Sequence, residues 1–102
     1  MVLKAGTRLK SAVDETEVIV VRAPAGDVDL RCGGAPLLDF ADERPAGGTV
    51  ATGFNGSTLL GKRYAEEEVG IELLCTKPGQ GSLSIAEIPL LVKEAKPLPA
   101  SD

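Results

Sequence analysis

Short apolar runs separated by turn residues organise this chain. "TEVIVV" (16–21) is rich in β-branched residues and apolar on both faces, which predicts a strand buried on both sides. "DVDLRC" (27–32) alternates, placing Val28, Leu30 and Cys32 on one face. "TLLGKRYA" (58–65), "IELLCTK" (71–77), "GSLSI" (81–85) and "IPLLVKE" (88–94) also predict strands. Between them, "APAGD", "CGGAP" and "KPGQG" supply turn chemistry. Residues 41–48, "ADERPAGG", predict a longer surface loop, and the Pro-rich end "AKPLPASD" (95–102) a tail or extended arm. The best helical candidate, "YAEEEVGIELL", is broken by Gly70 and runs into a β-like segment. The pattern predicts an all-β protein.

Two segments of this pattern match. Residues 18–38, "VIVVRAPAGDVDLRCGGAPLL", align with residues 71–91, "IELLCTKPGQGSLSIAEIPLL", at an offset of 53 and without a gap. Identities fall at Gly26/Gly79, Leu30/Leu83, Pro36/Pro89, Leu37/Leu90 and Leu38/Leu91. Upstream, "GTRL" (6–9) corresponds to "GKRY" (61–64), with two residues fewer before the second strand. This predicts an internal duplication, with units at 6–38 and 61–91 joined by loop 39–60, inside a single domain spanning 1–102. Convergence of two hairpins with similar turns is the alternative. A unit of about 30 residues is too small to bury an adequate core alone. Two such units can share one by facing their apolar strands, with pseudo-two-fold symmetry. The expected architecture is therefore two pseudo-symmetric antiparallel β-ribbon units packed into one sandwich- or barrel-like domain.

Composition narrows the function. Aromatics are only 3% of the chain, so the core must be aliphatic. The net charge of −4 argues against nucleic acid, which needs a basic face. The aromatic shortage also removes stacking platforms for single strands. No apolar run approaches the ~20 residues that span a bilayer, and the start lacks a secretion signal, so a cytoplasmic protein with no membrane partner is expected. The acidic "AEEEVG" reads as a solvated turn, with a cation site as the alternative. There is no histidine, which removes the commonest general base near neutral pH and weighs against an enzyme. "GFNGSTLLGK" lacks the spacing of a phosphate loop.

One stretch reads like half of a metal knuckle. "DLRCGGAPL" resembles the second knuckle of desulforedoxin and the related N-terminal domain of desulfoferrodoxin, where a Leu precedes Cys-Cys-Gly-x-Pro-Met. Leu30, Cys32, Gly34, Pro36 and Leu37 take the matching places. The family's other knuckle, Cys-x-x-Cys-Gly, falls on "RAPAG" (22–26), with Arg22 and Ala25 in the ligand places. In the second unit, "CTKPG" (75–79) keeps Cys75 and has Pro78 in its partner's place. The later knuckle there, "SIAEIPL" (84–90), has Ile85 and Ala86. The resemblance implies a degenerate tandem of rubredoxin-type, zinc-ribbon-like units with a ribbon-like β fold. It does not carry over iron binding or electron transfer, because a tetrahedral site needs four ligands and the chain has two cysteines. A structural metal contributes on the order of 10 kcal/mol to folding. Several hundred Å² of aliphatic burial at ~25 cal/mol per Å² would match it. The expectation is that hydrophobic pairing stands in for the metal.

These readings leave few candidate site residues and no catalytic ones. Cys32 and Cys75 are expected as free core thiols. The alternatives are a disulfide, or zinc or iron held across a homodimer by two thiolates from each chain. Arg8 and Arg63 occupy equivalent places and are expected on exposed strand faces or paired with acids, with an anion site as the alternative. The expected function is a non-enzymatic structural or protein-interaction module without a cofactor, such as an accessory subunit of an enzyme, with a protein partner or a homo-oligomer. A small metal protein using Cys32 and Cys75 and a binder of a small apolar ligand are the competing readings.

Overall fold

Turn residues cut the described part of the chain into ten short strands, and apolar alternation decides which face of each is covered. In the computed structural model, which describes residues 1–93, these are β1 (Arg8–Lys10), β2 (Glu17–Arg22), β3 (Leu30–Cys32), β4 (Ala35–Pro36), β5 (Leu38–Asp39), β6 (Arg63–Glu66), β7 (Ile71–Lys77), β8 (Leu83–Ile85), β9 (Ile88–Pro89) and β10 (Leu91–Val92). The Pro-rich segment 95–102 lies outside the described residues. The strands form two antiparallel sheets. One has six strands, ordered β10-β6-β7-β2-β1-β5; the other has four, ordered β4-β3-β8-β9. The protein is all-β, as the alternation predicts.

The two halves are related by a pseudo-two-fold that can be read from the strand register. In the large sheet Ile19 faces Leu74, Val18 faces Cys75 and Val20 faces Leu73. Exchanging the halves at an offset of 55 maps Ile19/Leu74 onto itself, exchanges Val18/Cys75 with Val20/Leu73, and maps Glu17/Lys77 onto Arg22/Glu72. The β1–β2 hairpin repeats as β6–β7 at the same offset, Arg8/Ile19 becoming Arg63/Leu74. In the small sheet the offset is 53: Arg31 faces Ser84, while Leu30/Ile85 and Cys32/Leu83 exchange. The two-residue difference therefore falls after the second strand of each unit, in the β2–β3 and β7–β8 connections. The ungapped alignment of 18–38 with 71–91 is off by two through its first strand. Side-chain character could not reveal this slip, because both registers superimpose apolar on apolar. Backbone pairing decides it.

Two further departures from the expected strands have physical causes. The strand expected at 88–94 splits in two, and its counterpart in the first half, 35–39, splits in the same way. Leu37 and Leu90 turn inward at the break, donating N–H bonds to Leu30 O (3.1 Å) and Leu83 O (3.0 Å), and the chain crosses there from the small sheet to the large one. β2 is not buried on both sides. Val18 and Val20 are in the core, Ile19 is half-buried and Val21 is exposed. A corner shared by both halves explains one glycine. Gly33 has φ +64°, and its equivalent, Ala86, adopts φ +51°. The same left-handed turn is thus imposed on a residue with a Cβ, for which it is unfavourable.

The core is one largely aliphatic cluster, with Tyr64 as its aromatic member, drawn from both halves. Leu9, Val18, Val20, Leu30 and Leu37 from the first meet Tyr64, Ile71, Leu73, Leu83 and Leu90 from the second. Neither set could be dehydrated without the other.

The outer face of the large sheet is polar and follows the same symmetry. Its central row runs Arg8, Ile19, Leu74, Arg63 across β1, β2, β7 and β6. A row on one side runs Leu38, Lys10, Glu17, Lys77, and on the other Leu91, Ala65, Glu72, Arg22.

Candidate functional site

Both cysteines point into the core, where they are free and buried. Cys32 ends β3, and Cys75 lies in β7 opposite Val18. A polar loop, "SAVDET" (11–16), closes over them. Ser11, Thr16 and Thr58 are buried, and none of the described buried side-chain polar atoms lacks a hydrogen-bond partner. Asp14 organises this loop. Its carboxylate accepts from Gly81 N (2.6 Å), Thr16 Oγ1 (2.9 Å) and Thr16 N (3.2 Å). Burial alone would raise the Asp14 carboxyl, but hydrogen bonds from Ser11, Gly81 and Thr16 outweigh it and hold the pKa below its usual value. Gly79 and Gly81 pass so close that a Cβ on Gly79 would lie 2.6 Å from Asp14 Oδ2, and one on Gly81 3.1 Å from Cys32 Sγ.

This surrounding makes the thiols inert. Burial pushes the Cys32 pKa up to about 11, and the charge of Asp14 adds to it. Burial also raises Cys75. Among the described residues no group of three or more His, Cys, Asp or Glu is placed to hold a metal. The other ligand places of the resemblance do not converge on Cys32. Arg22 lies on the outer face of the large sheet opposite Glu72, and Ala25 and Ala86 are exposed. With both sulfurs inside the core, a metal shared across a dimer would require the sheets to open.

The surface carries more information. β9 and β10 are the edge strands of the two sheets on the second half, and they join through Leu90 into one margin. Its apolar residues face solvent: Ile88 is 60% exposed and Leu91 68%. Leu59 and Leu60, in the turn before β6, are also exposed. A cleft of about 330 Å³ lies between Leu59, Tyr64, Leu90, Leu91 and Val92. It is shaped by the Tyr64 hydroxyl, which accepts from Leu59 N at 2.8 Å and pins the turn. The first half differs. Leu38, the equivalent of Leu91, is half-buried, and Asp39 stands where Val92 does. There the chain leaving β5 returns over the Gly33–Gly34 corner, where Val50, Ala51 and Phe54 would touch any added Cβ and Ala51 N bonds Gly33 O at 2.9 Å. Ala86 and Glu87, the matching corner, are exposed.

Sequence reading missed this margin because "TLLGKRYA" and "IPLLVKE" looked like ordinary strands. The signal was present in the doublets Leu59-Leu60 and Leu91-Val92, where alternation fails and one residue of each pair must face outward. Among the described residues no helix is long and apolar enough to cross a membrane. No family model, curated protein or solved structure matches this chain.

Proposed function

We propose that this chain is a non-enzymatic interaction module, cytoplasmic and without a cofactor, that docks a protein partner or a second copy of itself through the β9–β10 margin. The observation that carries the reading is the run of exposed aliphatic residues along two strand edges that no other described strand pairs with. An open apolar edge is a template for adding a strand from another chain, and proteins that stay monomeric usually blunt such edges with charge or cover. The first half covers its Gly33–Gly34 corner with the returning loop and has Asp39 in its edge strand; the second half leaves the matching Ala86–Glu87 corner exposed and has Val92 in Asp39's place, with Glu87 and Lys93 as flanking charges.

The reading includes an ancestry. The matched pairings, the shared corner at Gly33 and Ala86, and the weak knuckle resemblance support two copies of one zinc-ribbon-like unit, within one domain. In that account aliphatic contact between the copies does the work of the lost metal. Sedimentation velocity across a wide concentration range tests the docking. A concentration-dependent dimer, lost in Leu59→Asp/Ile88→Asp, supports it through a second copy. The Val92 amide, which points away from β6 while Leu91 and Lys93 bond it, supports docking through a partner if it exchanges freely in isolation and becomes protected in a complex. A monomer in which the Val92 amide is already protected from solvent contradicts it.

A further inference from the structure

The chain is acidic overall, yet its cations are not spread evenly. Arg8, Lys10, Arg22, Arg63, Lys77 and Lys93 all stand on the outer face of the large sheet. These are six of the chain's eleven Lys and Arg; among the described strand residues, the register places the acids Glu17 and Glu72 on that face. These eight side chains sum to +4 in a protein of net charge −4.

Both acids are already engaged. Glu72 is buried beneath Lys93 Nζ (2.7 Å) and Arg63 Nη1 (3.4 Å), with Arg22 opposite it in the register. Glu17 has Lys77 at 3.9 Å and Lys10 across the strand pair. Each carboxylate therefore has more cations than it can neutralise, and the surplus faces solvent. The arrangement follows the pseudo-two-fold: Arg8 and Arg63 are equivalent, as are Glu17 and Glu72, and Lys77 and Arg22. Arg8 is held flat over the Phe40 ring at 3.9 Å, which fixes its guanidinium in position. Between Arg8 and Arg63 lie the half-buried Ile19 and Leu74.

We propose that this face binds an extended acidic segment of a partner protein, with an apolar residue on Ile19 and Leu74 and a carboxylate on each side reaching Arg8 and Arg63. The spacing selects the motif. Three inter-strand steps separate β1 from β6, about 14 Å at ~4.8 Å each. In an extended peptide, residues i, i+2 and i+4 share one face, and i to i+4 spans about 13 Å. The fitting pattern is Asp/Glu-x-Leu-x-Asp/Glu. Arginine suits carboxylate through paired donors, and complementary charge also steers the encounter. Nucleic acid fits less well. The face has one aromatic ring, already covered by Arg8, and the acidic remainder of the chain repels a long polyanion. The proposal rests on the interaction reading but uses a different surface from the β9–β10 margin.

The test is titration of the ¹⁵N-labelled protein with the peptide acetyl-Glu-Thr-Leu-Thr-Glu-amide at low salt. Shifts are expected to centre on Arg8, Ile19, Leu74 and Arg63 and to weaken as ionic strength rises. Arg8→Ala/Arg63→Ala should lower affinity about tenfold or more. Arg8→Glu/Arg63→Glu should instead select the peptide with Lys in place of Glu, so a loss of binding through misfolding is distinguishable from loss of the site. Leu59→Asp/Ile88→Asp should bind the peptide normally; if that pair alone abolishes binding, the margin is the site and this proposal fails. It is also overturned by equal binding of the Lys peptide to the unaltered protein, by tighter binding of a single-stranded oligonucleotide, by self-association through this face, or by no shifts there.

Discussion

Truncating Leu73 probes the contact between the halves at its centre. Leu73 is fully buried in β7, faces Val20 of the first half across the strand pair, and faces Tyr64 on its other side. Leu73→Ala removes the side chain's transfer energy and leaves a cavity between halves that cannot both collapse into it. Buried Leu→Ala changes cost about 2–5 kcal/mol. In a domain of about 100 residues each kcal/mol shifts Tm by roughly 4–8 °C, so a loss near 3 kcal/mol lowers Tm by roughly 12–24 °C. Leu60→Ala, 63% exposed, is the control and should stay within about 0.5 kcal/mol of the parent. Urea unfolding followed by far-UV circular dichroism measures both. Because the core is shared, amides in β1 and β2 must lose the same stability as those in β6 and β7. A loss below about 1 kcal/mol, or one confined to the second half's amides, refutes the shared-core argument.

Three further outcomes follow from the loop around the thiols. Gly79→Ala drives a Cβ into Asp14 and Thr16 and should cost about 1–3 kcal/mol by overpacking, whereas Gly56→Ala, whose Cβ would meet Ser82 only at ordinary contact distance, should cost less by thermal melt. Asp14 has a folded pKa below its unfolded value of about 3.9, so its stabilising contribution is present above that pH and is lost as pH falls through the folded value. The difference in unfolding free energy between the parent and Asp14→Asn should therefore shrink from pH 6 to pH 2; a pH-independent difference would refute the carboxylate's role. With its pKa near 11 and no exposure, Cys32 should react with a disulfide reagent at pH 8 only as the protein unfolds, and denaturant should release two thiols per chain. Rapid labelling of the native protein would contradict the burial.

The sequence carried the strand content because β-branched alternation and Gly/Pro turns are local signals. The match between "LRCGGAPLL" and "LSIAEIPLL" likewise announced the repeated corner, and the structure gives both segments the same pairings. The slip of two residues in β2 was illegible, since Val, Ile and Leu superimpose in either register. The Asp14 bond to Gly81 was illegible too, because a contact across 67 residues leaves no local trace. The basic sheet face was hidden by arithmetic: its cations are dispersed over β1, β2, β6, β7 and the residue after β10, and a net charge sums them with acids on other surfaces.

The shared core is tested most directly by native-state hydrogen exchange at two equivalent amides, Val20 N, which bonds Thr7 O at 2.8 Å, and Cys75 N, which bonds Lys62 O at 3.0 Å. They lie in β2 and β7, the two central strands of the large sheet, which pair across the boundary between the halves. Both should open only in global unfolding, with the same free energy and the same denaturant dependence. If one of the two exchanges through an opening cheaper by more than about 1 kcal/mol, the halves fold separately and the account of mutual apolar support is wrong.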